Sequence, residues 1–272
     1  MQPGVLEPST PGFTNQELPL YDTLRSLVTA GLFGYLVLCV LLFFYQRNLI
    51  YYPTPSRSLA MNDFILQQGD LEIVIRARQT TNGPALIYFG GNAEDVHFSL
   101  EAFQQSFPNT ALYAMNYRGY GGSGGKPTEA GLVEDAVALY DEIRRHHGHI
   151  TLVGRSLGSG IAVQMAAVRP VDQLVLVTPF DSLKRVAKKQ FPIVPVQWLM
   201  LDRYESWRYA PNINSPTVLV AAANDEIIPL ARSEALLAAF QPGIARLEVL
   251  PGLNHNSFID LSDFVDVPDI AH

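Results

Sequence analysis

A glycine-flanked serine near the middle of the chain constrains the fold more than any other feature. The sequence H-I-T-L-V-G-R-S-L-G-S-G-I-A-V-Q-M-A-A-V occupies residues 149–168. Residues 150–153 form a short apolar run of strand length, and the small residues of 161–168 predict a buried helix. Strand, G-x-S-x-G and helix in succession indicate a nucleophile elbow, in which Ser156 occupies a tight, strained turn. Gly154 and Gly158 suit this turn because the strand and helix backbones pass close together there.

The composition bounds the class of protein. The chain has 272 residues, of which 48% are hydrophobic and 17% charged, enough for one large α/β domain with a short appendage. The formal net charge of −7 argues against a nucleic-acid partner. Cys39 is the only cysteine in the sequence, so no disulfide can form within the chain.

The N-terminal region predicts a single-pass membrane anchor. Residues 1–23 are rich in proline and lack an apolar pattern, which predicts a flexible arm. Residues 24–45 are mostly apolar and carry a single charge, Arg25, and about 20 such residues suffice to span a bilayer as a helix. A cleaved signal peptide would have a shorter apolar region and a small-residue cleavage site, and a buried core helix would have a polar face. An uncleaved anchor is therefore favoured over both alternatives.

The sequence after the anchor sets its tether and its orientation. Residues 46–58, with Pro53 and Pro55, predict a short, stiff linker, and its Tyr51 and Tyr52 are expected at the level of the lipid headgroups. Arg47 and Arg57 follow the span, whereas Arg25 lies at its start, so lysine and arginine counting leans towards a cytoplasmic catalytic domain.

Residues 59–272 predict one catalytic domain in which strands and helices alternate. Strands are expected at 64–66, 71–75, 85–89, 110–116, 150–153, 173–178, 217–222 and 246–250, and helices at 94–107, 128–147, 161–168 and 230–240. This alternation predicts a mostly parallel central sheet with helices on both faces. The region 179–215 is too short for a large lid, so only a minimal cap and an open pocket are expected.

A nucleophilic serine needs a base and an orienting carboxylate, which on such a sheet follow it in the order acid, then histidine. Asp225 is favoured as the acid because it comes just after the predicted strand 217–222, where strand ends deliver catalytic side chains. His255 is favoured as the base because it follows the last strand in a loop, P-G-L-N-H-N, that can fold back over Ser156. The acids also considered are Asp172, which precedes its strand, Asp181 and Asp202, which are predicted to cap helices, and Glu226.

Acyl transfer through Ser156 would also need two N–H donors for the oxyanion. One is expected from Leu157, the residue after the nucleophile. The other is assigned to Asn92, after Gly90 and Gly91, at the end of a predicted strand. No metal or other cofactor is expected. The histidines at 146, 147 and 149 bracket a helix C-terminus, where cations suit the dipole, and no cysteine or carboxylate completes a ligand set with them.

Several separate stretches together resemble the membrane-anchored, small-cap α/β-hydrolases of the abhydrolase-domain superfamily. These stretches are N-L-I-Y-Y-P at 48–53, G-G-N-A-E at 90–94, N-Y-R-G-Y-G-G-S-G-G-K-P-T-E-A-G from 116, G-R-S-L-G-S-G at 154–160, T-P-F-D-S-L from 178, N-D-E-I-I-P and N-H-N. The resemblance covers roughly residues 48–258. It places the family's nucleophile, acid and base on Ser156, Asp225 and His255. It places the family's oxyanion donors on Asn92 and Leu157.

One departure concerns the oxyanion loop, where this chain has Gly90-Gly91 and the family usually has histidine-glycine. The family includes thioester-cleaving depalmitoylases as well as hydrolases of unknown substrate, so it implies a serine hydrolase acting on an ester or thioester. The tether predicts an amphiphilic or acylated substrate, because a short linker keeps the enzyme at the bilayer surface. Two alternatives stay open: an amide-cleaving, aminopeptidase-like hydrolase, and a non-catalytic membrane scaffold on a hydrolase fold. The sequence leaves the oligomeric state open.

Overall fold

The computed structural model describes residues 18–78 and 83–266, and its first element is a long apolar helix. This helix, α1, comprises Leu18–Ile50, and its stretch Leu20–Ile50 is long and apolar enough to cross a membrane. The predicted flexible arm is therefore wrong for residues 18–23, which are helical, while residues 1–17 lie outside the described residues. Proline is tolerated in the first turn of a helix because the N–H it lacks has no intrahelical acceptor there, so Pro19 does not prevent this early start.

The structure also corrects the predicted linker, 46–58. The chain divides into two units between Phe44 and Tyr45, so all of the linker belongs to the same unit as the sheet. Residues 46–50 end α1, and Tyr51 is only 3% exposed, with its hydroxyl 2.9 Å from that of Tyr204. Tyr51 is thus a core side chain rather than a headgroup contact, because burying its ring stabilises the unit. Tyr52 is 52% exposed.

An eight-stranded sheet organises this unit. Its strands are β1 (Phe64–Gln68), β2 (Leu71–Arg78), β3 (Ala85–Phe89), β4 (Ala111–Met115), β5 (Ile150–Arg155), β6 (Gln173–Val177), β7 (Thr217–Ala222) and β8 (Ala245–Leu250). Their order is β1-β2-β4-β3-β5-β6-β7-β8, and only the pairs β1·β2 and β2·β4 are antiparallel. The expected mostly parallel sheet is confirmed. Its parallel strands bring the ends of β3, β5, β6 and β7 to one edge, where loops carry function in such sheets.

Helices and a C-terminal segment cover both faces of the sheet. The helices after α1 are α2 (Val96–Ser106), α3 (Glu129–Ile143), α4 (Leu157–Ala166), α5 (Leu183–Gln190), α6 (Val196–Leu199) and α7 (Leu230–Leu237). Successive strand residues point to opposite faces. In β3, Ile87 and Phe89 pack with α3, α4 and α7, whereas Leu86 and Tyr88 pack with α2 and the segment 259–265. The central strands are buried on both sides, as expected for parallel strands covered by helices.

The connection between β6 and β7 is small, in line with the expected minimal cap. It holds only α5, the four-residue α6 and two short 3₁₀ turns, Ser206–Arg208 and Ala210–Asn212. This segment packs close to the start of α4, since a Cβ placed on Gly160 would lie 2.9 Å from Cδ1 of Tyr204.

Candidate active site

Ser156 occupies the strained turn that its sequence predicts. It connects β5 to α4 with φ 50° and ψ −115°, a backbone conformation that a residue with a side chain rarely adopts. Helix α4 begins at Leu157, four residues before the predicted start at 161, so Ser156 is the only residue between β5 and α4. A Cβ on Gly158 would lie 2.1 Å from the carbonyl oxygen of Phe89, and one on Gly154 would lie 2.6 Å from Cβ of Ala162. Only glycine fits at either position.

The structure brings Ser156, His255 and Asp225 into one hydrogen-bonded chain. Oγ of Ser156 lies 3.0 Å from Nε2 of His255, and Nδ1 of the same ring lies 2.7 Å from Oδ2 of Asp225. The other carboxylate oxygen of Asp225 accepts hydrogen bonds from the backbone N–H groups of Ile227 and Ile228, at 2.9 and 2.7 Å. These bonds fix the carboxylate, which in turn orients the imidazole towards Ser156.

Three of the competing acids make structural contacts, and the fourth, Glu226, is exposed. Asp202 accepts a hydrogen bond from the backbone N–H of Glu129 at the start of α3, at 3.2 Å, and pairs with Arg47 at 2.9 Å. Asp181 is fully buried and pairs with Arg185 and Arg232. Asp172 accepts a hydrogen bond from the backbone N–H of Ile150, at the opposite end of β5 from Ser156. Asp202 therefore does accept a hydrogen bond at a helix N-terminus, as predicted, but the helix is α3, which is distant from Asp202 in sequence.

The two predicted oxyanion donors flank Ser156. Leu157 is the first residue of α4, so its N–H has no acceptor within the helix. Gly91 approaches so closely that a Cβ there would lie 3.6 Å from Cβ of Ser156, which brings the Asn92 loop beside the serine. Within residues 18–78 and 83–266, neither the Leu157 nor the Asn92 N–H donates to a protein acceptor. The two N–H groups are therefore available to a developing negative charge.

The side chain of Asn92 holds this loop through groups that sequence reasoning missed. Its Oδ1 accepts from the Tyr120 hydroxyl at 2.9 Å and from the backbone N–H of Tyr52 at 3.0 Å, and that N–H also lies 2.8 Å from the Tyr120 oxygen. Burial raises the pKa of Tyr120, so its hydroxyl remains a donor. In the sequence, the only hint of this contact is Tyr120, an aromatic residue inside a glycine-rich loop, and no local pattern identifies Asn92 as its partner.

A partly buried ion pair links the Asn92 loop to the histidine loop. Arg155 donates from Nη1 to Oε2 of Glu94 at 2.8 Å and from Nη2 to the carbonyl oxygen of His255 at 3.0 Å. Burial alone would raise the pKa of Glu94. The Arg155 guanidinium and hydrogen bonds from Ser99, Tyr88 and the Gly91 N–H outweigh burial and hold that pKa below its ordinary value. In the sequence, the only hint of this ion pair is Arg155 itself, the one charged residue in the elbow G-R-S-L-G-S-G.

The departure at Gly90 has a steric explanation. A Cβ there would lie 2.7 Å from Cγ1 of Val96, so α2 fills the space that a side chain would need. The Tyr117 hydroxyl donates to the Gly90 carbonyl oxygen at 2.6 Å and fixes the loop from the other side.

An apolar cavity adjoins these loops. It has a volume of about 350 Å³ and is lined by both charged groups of the Arg155–Glu94 pair and by aromatic rings from α2 and from the segment after His255. These rings are Phe98, Phe103 and Phe258. In the part of the chain that the structure describes, no group of three or more histidine, cysteine, aspartate or glutamate side chains could hold a metal ion.

Comparisons with known proteins agree with this architecture. A family model described as an alpha/beta hydrolase fold matches residues 84–198. An uncharacterised protein of Mycobacterium tuberculosis is 33% identical over 227 residues, which make up 78% of this chain and 80% of that protein. The lysophosphatidylserine lipase ABHD12 of Danio rerio is 28% identical over 187 residues, covering 60% of this chain and 48% of the lipase.

Among solved structures, the mouse alpha/beta hydrolase domain-containing protein 10 matches with a TM-score of 0.59. It covers 71% of this chain and 90% of its own at 18% identity, which is a likeness of fold.

Proposed function

Because the chain belongs to the α/β-hydrolase family, we propose that it is a membrane-anchored serine hydrolase that cleaves a carboxylic ester or thioester. The observation that carries this proposal is the hydrogen-bonded chain from Ser156 through His255 to Asp225 on a strained elbow. A serine hydroxyl is a weak nucleophile until a base takes its proton, and this geometry supplies the base and the group that orients it.

In the first half of the proposed reaction, Oγ of Ser156 attacks the acyl carbon while Nε2 of His255 takes its proton. The Asp225 carboxylate accepts a hydrogen bond from Nδ1 and stabilises the imidazolium that forms. The carbonyl oxygen becomes an oxyanion held by the N–H groups of Leu157 and Asn92. The imidazolium then protonates the departing alkoxide or thiolate, which leaves an acyl group on Ser156.

In the second half, water takes the place of the leaving group. His255 removes a proton from the water, the resulting hydroxide attacks the acyl carbon, and a second oxyanion occupies the same two N–H groups. Collapse of this intermediate returns the proton to Ser156 and releases the carboxylic acid. These residues complete the cycle without a cofactor.

The proposed substrate is amphiphilic: a lipid ester or an acylated protein. Three features support this class. The helix α1 is long and apolar enough to cross a bilayer, and the relative from Danio rerio is a lysophosphatidylserine lipase. The third is a cavity of about 350 Å³ with aromatic lining, whose wall includes Arg155 and Asn256, the chain neighbours of Ser156 and His255. We place the catalytic unit on the cytoplasmic side, on the arginine distribution around the span.

The test is covalent labelling of the full chain with a fluorophosphonate probe, which reacts with activated serines. The wild-type chain should be labelled, and Ser156→Ala should not. Ser159→Ala is the matched control, because Ser159 is buried three residues away and donates to the Ser156 carbonyl oxygen at 2.6 Å. Absence of labelling in the folded wild-type chain would support the scaffold alternative instead.

A further inference from the structure

A surface of exposed apolar and basic side chains lies on the segment that connects β6 to β7. We call it the cap patch: Phe191, Trp198 and Leu201, exposed 52%, 77% and 50%, together with Lys188 and Lys189 in the last turn of α5. Large apolar side chains exposed close together, and rimmed by charge, mark interaction surfaces in soluble units. Their exposure does nothing for the stability of the fold, and a bound partner would cover them.

The cap patch is hydrogen-bonded to the segment that follows the predicted anchor, 24–45. Gln46 directly follows the apolar stretch 24–45, and its side-chain amide bonds to the backbone of Leu201 in the patch and of Leu199, which is next to Trp198 in sequence. Nε2 donates to the carbonyl oxygen of Leu199 at 3.1 Å, and Oε1 accepts from the N–H of Leu201 at 2.7 Å. Arg47 pairs with the buried Asp202 at 2.9 Å. Gln46 and Arg47, the two residues after the predicted anchor, are therefore both attached to the segment that carries the patch.

The charge of the patch suits an anionic surface. Residues 183–203 carry five basic side chains and one acidic one, in a chain whose net charge is −7. Lys184 pairs with Glu205 within this unit. Lys188 and Lys189 have no acidic partner among the described residues and stand in the same turn as Phe191. Lysines beside tryptophan and phenylalanine are the composition of segments that lie in a membrane interface.

We propose that the cap patch docks on the bilayer that holds α1, with its apolar side chains among the lipid headgroups and its lysines against anionic phosphates. This inference rests on the anchoring part of the proposed function. The same segment reaches the site, since Tyr204 packs against Gly160, four residues after Ser156. Docking therefore holds the site at the lipid surface and restricts its natural substrates to acyl chains drawn from that leaflet.

The first test measures where Trp198 lies. The full chain carrying Trp207→Phe, which leaves Trp198 as its only tryptophan, is reconstituted in vesicles of phosphatidylcholine and phosphatidylserine. Lipids brominated near the headgroup should remove more than about half of its emission, as for an interfacial indole. Iodide in the water should have little effect. Emission that is indifferent to brominated lipid and quenched by iodide would overturn the proposal.

The second test compares variants on two substrates. Trp198→Glu and the double variant Lys188→Glu/Lys189→Glu should hydrolyse a water-soluble ester like the wild type but a bilayer-inserted acyl ester more slowly. The expected loss is about fivefold for each lysine, from its attraction to anionic lipid. The matched control is Val168→Glu, an exposed apolar residue, 54% exposed, after the end of α4. Equal losses in the control and the patch variants would contradict docking.

These outcomes separate the docking from the proposals beneath it. Extraction of the wild-type chain from vesicles by alkaline carbonate would refute the anchor. Absence of soluble-ester turnover would refute the hydrolase. An anchored, active chain with Trp198 in water would refute docking alone. Shielding of Trp198 in detergent by a second copy of the chain would assign the patch to a dimer and would also overturn the proposal.

Discussion

Replacing Arg155 by glutamine should make the stability of this protein depend on pH in the opposite sense to the wild type. The guanidinium of Arg155 is the only cationic partner that the described residues give to the Glu94 carboxylate, at 2.8 Å, with side chains 22% and 12% exposed. Removing one partner of a buried pair leaves an unpaired charge, and the cost is about 3 kcal/mol, near the lower end for such pairs because Arg155 keeps some contact with water.

Whether stability rises or falls with pH depends on which state, folded or unfolded, binds more protons. In the wild type the pKa of Glu94 is below its ordinary value, so its contribution to stability is present above the unfolded pKa and is lost as pH falls through the folded pKa. In Arg155→Gln, burial is unopposed by the guanidinium and raises the pKa of Glu94. The folded variant then holds a proton that the unfolded chain has lost, so the variant is least stable at neutral pH and recovers as pH falls.

The assay is urea unfolding of the full chain in detergent at about pH 5 and at about pH 7.5, which lie on the upper side of the ordinary carboxyl range. Arg155→Gln should show the loss of about 3 kcal/mol in the free energy of unfolding at the higher pH only. Glu94→Gln in the same background should restore stability there, because no buried charge then remains. An equal loss at both pH values, with no rescue by the second substitution, would refute the assignment of Glu94 as the charge that Arg155 neutralises.

Three further predictions concern the loops around the serine. Tyr120→Phe removes the hydroxyl that holds Asn92 and should lower kcat about tenfold with KM unchanged. This is smaller than the loss seen when an oxyanion donor itself is removed. The control is Tyr113→Phe, at a buried tyrosine that is hydrogen-bonded to His147, and it should leave kcat unchanged. Gly158→Ala forces a Cβ to within 2.1 Å of a backbone oxygen, and the displaced elbow should cut kcat/KM on a soluble ester about a hundredfold; normal turnover would contradict the elbow geometry. The minimal cap predicts that the rate on a soluble ester rises smoothly through its solubility limit, and a sharp jump there would reveal a lid.

Much of the fold could be predicted because its signals are local. The strand 85–89 was predicted with the bounds that the structure gives it, since a short apolar run between glycine and proline has few alternatives. The order of Ser156, Asp225 and His255 along alternating strands and helices predicted residues that lie far apart in sequence and meet at one edge of the sheet. Parallel topology, rather than sequence spacing, brings them together.

The errors arose where contacts between distant segments decide the structure. The prolines of 46–58 predict a short, stiff linker outside the catalytic domain, but burial of Tyr51 against Tyr204 and the bonds of Gln46 attach this stretch to the sheet unit. Likewise, nothing in the sequence near Asn92 identifies Tyr120 as its partner. Such contacts join residues with no common local pattern, and only the assembled fold brings them together.

The central claim is that Ser156 carries the acyl group during turnover. The direct measurement is rapid acid quenching of the full chain with excess p-nitrophenyl ester, followed by peptide mass analysis. We predict that the acyl mass appears on the peptide containing Ser156, that Ser159→Ala keeps this adduct, and that Ser156→Ala loses it together with at least about a thousandfold in turnover. Turnover by Ser156→Ala at the wild-type rate, or an acyl adduct on another residue, would contradict the account.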